Sequence, residues 1–503
     1  MHPPTSDTIS RTPDKHTGVG RAARTRHSGA PRLYYSRMVP TAVNYIAALL
    51  VVLAGLRTGR HLRARARAST PAARHFPGLP SRLASNPALR PRHWFVAAAI
   101  DVAAVLALAI WNVSGVAILV IALCGTAVLA AMAWPIHQHA RACAKTNSAI
   151  NAFAPRIAVP YAGPTPEHVG MWAPYIHRAG RPWCVVADTT ELLDELAARY
   201  DIPMVAGPLP VTVRAAIYPY ASARNDLFLD NHDVQHVYVG HGDTDKPFSE
   251  DEHNLDDYDL VTVAGQGAID RFEEAGVAVK SEQLVVIGRP QIEGIARAAK
   301  PMSSIKSPTV LYAPTWRHAD DSLNLSSLVV GDKIVRALLN RGVTVVFRRH
   351  YAGRDQVEAE AMIQTIHDLL EQDSEATGLH HIWGESASAE IPLIDSFNLS
   401  DAMISDVSGI VVDFMQSEKP FAMYASQVRS GPHLSAEFRA TNPTAESAYV
   451  LDRDLFNLET ILNLMLGPDP LSPTRTDRTA HYLGDDRREP AEPFIKLITG
   501  LSG

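Results

Sequence analysis

From about residue 155 onward, short apolar runs alternate with amphipathic stretches. Residues 183–188 (WCVVAD) read as a strand. The TTELLDELAARY that follows reads as a helix capped by Thr189 or Thr190, with Leu192, Leu193, Leu196 and Ala197 along one face. IPMVAG, HVYVGHG, LVTVAG and LVVIGRP then supply further short β-rich runs with glycine at or near their ends, the alternation of a Rossmann-like half. A second series opens with TVLYAPTW, continues through VTVVFRRH and AMISD, and closes with PFAMYAS. The two halves meet near Gly288, Arg289 and Pro290, so the pattern predicts an α/β protein with its ligand cleft between them. There is no internal repeat beyond this doubling.

The front of the chain has another pattern. Residues 94–111 are apolar except for Asp101, and residues 113–134 form 22 residues without a charge. Each is near the roughly 20 residues that cross a bilayer, so together they predict a transmembrane helical hairpin turning at 112–115. Trp94, Trp111 and Trp134 stand at its ends, as interfacial anchors do. Asp101 must then face the partner helix or the interface, because a carboxylate in lipid is costly. A shorter run at 39–56 reads as a third span or as an interfacial, signal-like segment. Residues 1–37 are polar and lack apolar periodicity, which predicts disorder, and Met38 is a candidate start.

Charge sharpens the division. Residues 1–93 carry 16 Lys/Arg against 2 Asp/Glu, while the remainder carries 31 against 51, within a net charge of −6. A basic leader before an acidic body suggests a membrane-facing start and argues against nucleic acid as the main partner, and the nine arginines from Arg57 to Arg92, without an acid, suit a loop on the cytoplasmic side. The three cysteines, Cys124, Cys143 and Cys184, have no metal-ligand spacing and point away from thiol chemistry.

Several candidates for chemistry follow apolar strands, where an α/β sheet presents its ligands. His241, in YVGHGDTDKPFS, could take a proton from a hydroxyl near neutral pH, since an imidazole titrates at about 6.5. Asp243 and Asp245 form a D-x-D pair that is more often an ordinary loop feature than a metal site, and Lys246 could meet a phosphate or those acids. Strand alternation sends Arg348 and Arg349 to opposite faces, one into the cleft and the other to solvent, with His350 able to donate to a phosphate oxygen. Ser408 and Gly409 form a small-residue turn before an apolar helix start, able to cradle an anion or simply to cap the helix. Asp413, one turn later, could bind a hydroxyl or order the loop. Arg317 follows a strand and a proline and is free to meet phosphate, while Trp316 reads as packing.

The order of these blocks resembles the CDP-glycerol glycerophosphotransferase family, the teichoic-acid glycerophosphate primases and polymerases of the GT-B class, over roughly residues 180–430. The family's H-G-T-x-x-K is matched by residues 241–246, its G-x-P by 288–290, its Y-A-P-T-W-R by 312–317 and its R-x-H-Y/P by 348–351. Its D-x-S-S-x-x-x-D-F is matched by 406–414, and the following K-P by Lys419 and Pro420. Two positions depart from the pattern. Asp243 stands where the family has Thr, and Gly409 where it has a second Ser.

The resemblance implies a GT-B-like pair of Rossmann-type domains, preceded here by N-terminal transmembrane helices. The expected divisions are a basic leader at 1–37, a membrane region at 38–145, an acceptor domain at 155–290 and a CDP-donor domain at 305–503. It also implies transfer of glycerol phosphate from CDP-glycerol to a lipid-linked or polymer hydroxyl acceptor, with CMP leaving and with no cofactor or metal required. By carry-over, His241 and His350 are catalytic, and Arg317, Arg348, Ser408, Gly409 and Asp413 hold the donor's phosphates. Asp243 and Lys246 are candidate acceptor or phosphate contacts. The expected place is the membrane, with the catalytic domains on the cytoplasmic side. A related transferase using CDP-ribitol or a nucleotide sugar, and a membrane-anchored nucleotide-binding protein without turnover, are the competing readings.

Overall fold

The computed structural model describes residues 57–58, 72–79, 91–111, 115–317, 324–350, 357–428, 431, 433–485 and 487–503. The expectations for 1–37, Met38 and 39–56 lie outside them. The chain divides into two compact units, residues 1–69 with 85–141, and residues 70–84 with 142–503.

In the first unit the two apolar stretches are helices, Pro91–Ile110 and the start of Gly115–Phe153. They pack on each other. Trp94 buries against Ala98 and Ile136 and donates from Nε1 to the Leu129 carbonyl (3.0 Å). Asp101 faces the second helix so closely that a Cβ on Gly125 would fall 1.9 Å from its Oδ1. Among the described residues, however, no helix is long and apolar enough to cross a membrane, so the transmembrane helices expected at 94–111 and 113–134 are not found as such. Asp101 breaks the apolar run of the first helix though not the helix itself, and the second helix continues past Trp134 and Pro135 into a polar stretch with His137, His139 and Arg141.

The second unit holds two sheets. The first has eight strands: β1 (Ala72–Arg74), β2 (Ile157–Tyr161), β3 (Trp183–Ala187), β4 (Met204–Ala206), β5 (Ala215–Tyr218), β6 (Gln235–Tyr238), β7 (Leu260–Val263) and β8 (Leu284–Val286). Their order is β1-β4-β3-β2-β5-β6-β7-β8, parallel except for β1, which runs antiparallel on β4. The second sheet has β9 (Thr309–Ala313), β10 (Thr344–Phe347), β11 (Ala402–Ser405), β12 (Phe421–Ala425) and β13 (Tyr449–Asp452), all parallel, in the order β10-β9-β11-β12-β13. Helices cover both faces, which is why strands such as β2, β3 and β12 are buried at every position and read as unbroken apolar runs. Strand order reverses between β2 and β5 in one sheet and between β9 and β11 in the other, and these reversals open the crevices where ligands bind.

The helix expected after Asp188 is Thr190–Arg199; Thr189 Oγ1 accepts from the Leu192 N–H (3.2 Å), and Leu193 and Leu196 are buried. Two boundaries differ from expectation. Residues 72–74, expected within the membrane region, are an edge strand of the first sheet, too short and too rich in alanine to show a period. Part of the chain after 471, expected to belong wholly to the second domain, packs on the first, although Arg475 and Arg487 stay with the second through Asp469, Gln416 and Glu418. Gly265 leaves room for the backbone of His481 and Tyr482, and the helix Glu492–Leu501 sinks Phe494 and Ile498 into the core beneath β2 and β3. The Phe494 ring lies 4.8 Å from that of Trp172, and Arg156 donates to the Ser502 and Gly503 carbonyls (3.2 and 2.5 Å).

Candidate active site

A cavity of about 420 Å³ lies between the carboxyl ends of the two sheets. From the first sheet it receives His168, His241, Lys246 and Arg289, and from the second Trp316, Arg348, Arg349, His350, Ser408, Gly409 and Asp413. Nearly all the residues singled out in the sequence therefore converge on one place, although they span more than 170 positions.

His241 follows β6 between two glycines, and both are required. Gly240 and Gly242 adopt φ of 63° and 135°, which L side chains avoid, and a Cβ on Gly242 would also press on the Arg289 guanidinium at 3.3 Å. Trp172 Nε1 donates to the Gly240 carbonyl (2.7 Å) and ties the turn to the helix Glu167–Arg178. The His241 ring stacks on His168, with centroids 4.4 Å apart and planes at 23°, and tilts against Tyr220. Burial lowers its pKa; Arg289 acts in the same direction, while Glu252, the Pro219 carbonyl and Asp243 oppose it. A neutral imidazole is the form that can accept a proton.

Beyond His241 the loop crosses to the second sheet. Lys246 Nζ donates to Thr315 Oγ1 (3.3 Å), and Asp245 accepts from the Thr444 N–H (3.1 Å) and from its hydroxyl. The two acids of the D-x-D pair thus diverge: Asp245 is committed to Thr444, whereas Asp243 sits beside Arg271 (3.9 Å) and Arg289. Among the described residues no cluster of three or more metal-ligating side chains is present. Below Lys246, Asp406 is fully buried and accepts from the Thr315 and Ser327 N–H groups (2.7 and 3.0 Å). Burial pushes its pKa up to about 7, against the pull of those bonds and of Lys246.

Arg289 and Asp413 form a two-pronged pair, Nε to Oδ1 at 2.6 Å and Nη2 to Oδ2 at 3.2 Å, almost out of contact with solvent. Of the two roles open to Asp413, binding a hydroxyl or ordering the loop, this geometry favours ordering. Ser408 precedes the helix Gly409–Met415 with an extended backbone, but its hydroxyl makes no capping bond and is left for the cavity. Gly409 approaches the other side of the cleft, where a Cβ would lie 3.5 Å from the Asp243 carbonyl. The two positions that depart from the family pattern therefore touch.

The arginines correct the alternation argument. Because β10 ends at Phe347, Arg348 and Arg349 lie past the pleat and both line the cavity. Arg348 donates from Nη1 to the Ala387 and Ile391 carbonyls, the latter at 2.7 Å; among the described residues it has no carboxylate partner. Arg349 is not a solvated charge but a forked partner of Glu360. Arg317 lies outside the cavity lining, paired with Glu358 at 2.7 Å, in a smaller recess that it shares with Trp316 and His350. Burial, followed by the nearby Lys246, lowers His350 to about 4, so at neutral pH its ring is neutral and carries a single N–H. Trp316, expected to be packing, lines the cavity.

Two participants escaped the sequence reading. Arg289 sits in the quoted IGRP block, yet its partner lies 124 residues away; His168 belongs to an unremarkable helix start. Neither has a local signal.

Residues 230–440 match the family CDP-Glycerol:Poly(glycerophosphate) glycerophosphotransferase. No curated protein matches the chain. Among solved structures, the wall teichoic acid polymerase TagF is similar, with 12% identity over 70% of this chain and 89% of its own and a TM-score of 0.43. S. aureus MnaA in its UDP co-structure (14%, 68% and 96%, TM-score 0.43) and a UDP-N-acetylglucosamine 2-epimerase (14%, 68% and 94%, TM-score 0.42) are similar too. Likeness at these TM-scores is loose and carries no argument about activity.

Proposed function

We propose, on the support of the match of residues 230–440 to the CDP-glycerol glycerophosphotransferase family, that this chain is a transferase that moves glycerol phosphate from CDP-glycerol to a hydroxyl of a cell-wall or capsule polymer. The acceptor oxygen attacks the phosphorus that bears glycerol, His241 takes the hydroxyl proton, and the bond to the CMP phosphate breaks. The products are a glycerophosphate ester and CMP.

The observation that carries this reading is the meeting of a neutral, half-buried His241 with Arg348, a cleft cation that no carboxylate among the described residues neutralises, in one cavity. Phosphoryl transfer needs little from a protein beyond alignment and stabilisation of negative charge. Arg348, Lys246, the Ser408 hydroxyl and the His350 N–H serve the donor's pyrophosphate, Arg289 with Asp413 holds the His241 loop against the donor side, and Asp243 lies toward the acceptor. Arg317 supports the donor site from its flank.

Membrane attachment belongs to the same proposal. On the helix pair of the first unit Val96, Ile100, Ile110, Trp111, Val116 and Trp134 are all exposed, a surface that lipid would cover. The nine arginines between 57 and 92 suit an anionic membrane surface on the cytoplasmic side, the side of the catalytic unit.

The test is nucleotide release from CDP-glycerol, CDP-ribitol and UDP-sugars in the presence of membrane lipid extract, for the wild type and His241→Ala. CMP from CDP-glycerol alone, lost in the variant, supports the proposal; release from another donor only, or no difference between the proteins, refutes it.

A further inference from the structure

His168 lies outside the residues that match the family and outside every motif of the sequence, yet it makes the closest ring contact that His241 has. It is 7% exposed, enclosed by Tyr220 on a nearly parallel plane (5.5 Å, 15°) and by the edge of Tyr161 (6.2 Å, 83°). Its orientation is fixed by a chain of two hydrogen bonds. Tyr161 O–H donates to the Thr165 carbonyl, and His168 Nδ1 is 3.1 Å from the same phenolic oxygen. A carbonyl can only accept, so the one phenolic proton is spent on Thr165, and His168 Nδ1–H must be the donor in the second bond. The tautomer is set by this, and the ring is held against rotation.

We propose that His168 is a positioning residue for the transfer reaction: locked by Tyr161, its ring is the platform that sets the plane of the His241 imidazole and so aims the nitrogen that takes the acceptor's proton. The inference rests on the reading of His241 as the base. Burial, reinforced by the facing His241, lowers the His168 pKa to about 3, so the platform is uncharged at working pH and does not compete for the proton. The other groups facing His241 are Glu252, Arg289 and Asp243, which act through charge, and the Pro219 carbonyl, which acts as a hydrogen-bond acceptor; Tyr220 adds a second, tilted ring. A base held in plane before the acceptor arrives has no orientation to find in the transition state.

The experiment combines kcat and KM for CMP release with an NMR titration of His241 in histidine-labelled full-length protein, the resonance assigned with His241→Gln. His168→Ala is expected to lower kcat by about ten- to a hundredfold, the scale of a misplaced catalytic group. KM for CDP-glycerol stays within about twofold, as for an interaction made only in the transition state. The His241 midpoint rises toward about 6.5 as water enters. His168→Phe, which keeps an aromatic face, restores most of kcat and keeps the midpoint low. Wild-type kcat and an unmoved midpoint in His168→Ala overturn the proposal, as does a His168→Phe variant as slow as the alanine. Should the alanine variant not fold, Tyr161→Phe carries the test: it frees the ring without removing it, and a lower kcat at unchanged KM is expected, whereas wild-type kcat counts against the idea. If the wild type releases no CMP, the functional reading fails, while the NMR titration still decides whether His168 governs His241.

Discussion

Arg289 and Asp413, 124 residues apart, face each other across the cleft as a buried, two-pronged ion pair, each the other's charge partner. Removing Asp413 leaves Arg289 desolvated, with only the charge of Asp243 nearby and no hydrogen-bonded partner, a change of the kind that costs up to about 3–5 kcal/mol where both members are buried. Asp413→Ala is therefore expected to destabilise strongly in chemical denaturation. The double variant Arg289→Met with Asp413→Leu is expected to recover much of that loss while remaining inactive. A double variant less stable than Asp413→Ala would contradict this account.

His241→Ala is expected to lower CMP release by about 10²–10⁴-fold, the usual contribution of a general base, with CDP-glycerol binding retained. Burial and Arg289 hold the His241 pKa below its ordinary value. The base form is the neutral one, so kcat/KM rises with pH through a limb centred below about 6.5 and is flat above it. An acidic limb centred above that value would exclude His241 as its source.

Gly409→Ser is expected to be tolerated. The new Cβ would make an ordinary contact, 3.5 Å, with the Asp243 carbonyl, and Gly409 is absent from the left-handed φ positions. Replacing a helical glycine under such conditions stabilises by about 0.4–1 kcal/mol, through the unfolded chain. A thermal melt reads the outcome, and a fall in Tm would mean that the two sides of the cleft are tighter than the geometry allows.

Asp406 makes stability depend on pH with a definite sign. Its folded pKa is raised to about 7 by burial, so between its unfolded value and 7 the folded chain holds a proton that the unfolded chain has lost. This contribution to stability is full below about pH 4, the ordinary aspartate value, and declines as pH rises toward 7. Asp406→Asn removes the dependence but gives up one of the two N–H acceptors. The deficit of the variant relative to wild type is expected to be largest near pH 4 and to shrink by pH 7; a gap that widens with pH would refute the assignment.

Much of this architecture was legible because it is locally encoded. β3, β6, β7 and β9 to β12 announce themselves as apolar runs, and the helix after Asp188 by its cap and its leucine face. β5 was missed because Ala215–Tyr218 is four residues long amid turn-like sequence, and β1 because Ala72–Arg74 gains its strand character only by pairing with β4. The site divides in the same way. His241, Ser408 and Lys246 stand at strand ends, where the chain itself points to chemistry. Arg289, His168 and the commitment of Asp245 to Thr444 depend on partners brought together by the fold, which no spacing along the chain reveals.

The return of the C-terminal helix has a consequence for biosynthesis. Phe494 and Ile498 complete the hydrophobic core beneath β2 and β3, yet the ribosome makes them after every strand of both sheets. The first domain therefore cannot close its interior while the second is emerging, and the usual order in which N-terminal domains finish first is broken. Until those residues arrive, the nascent chain leaves uncovered the apolar patch meant for them, and it must be shielded during translation. Stalled or prematurely terminated chains, rather than full-length ones, are where this protein should meet chaperones.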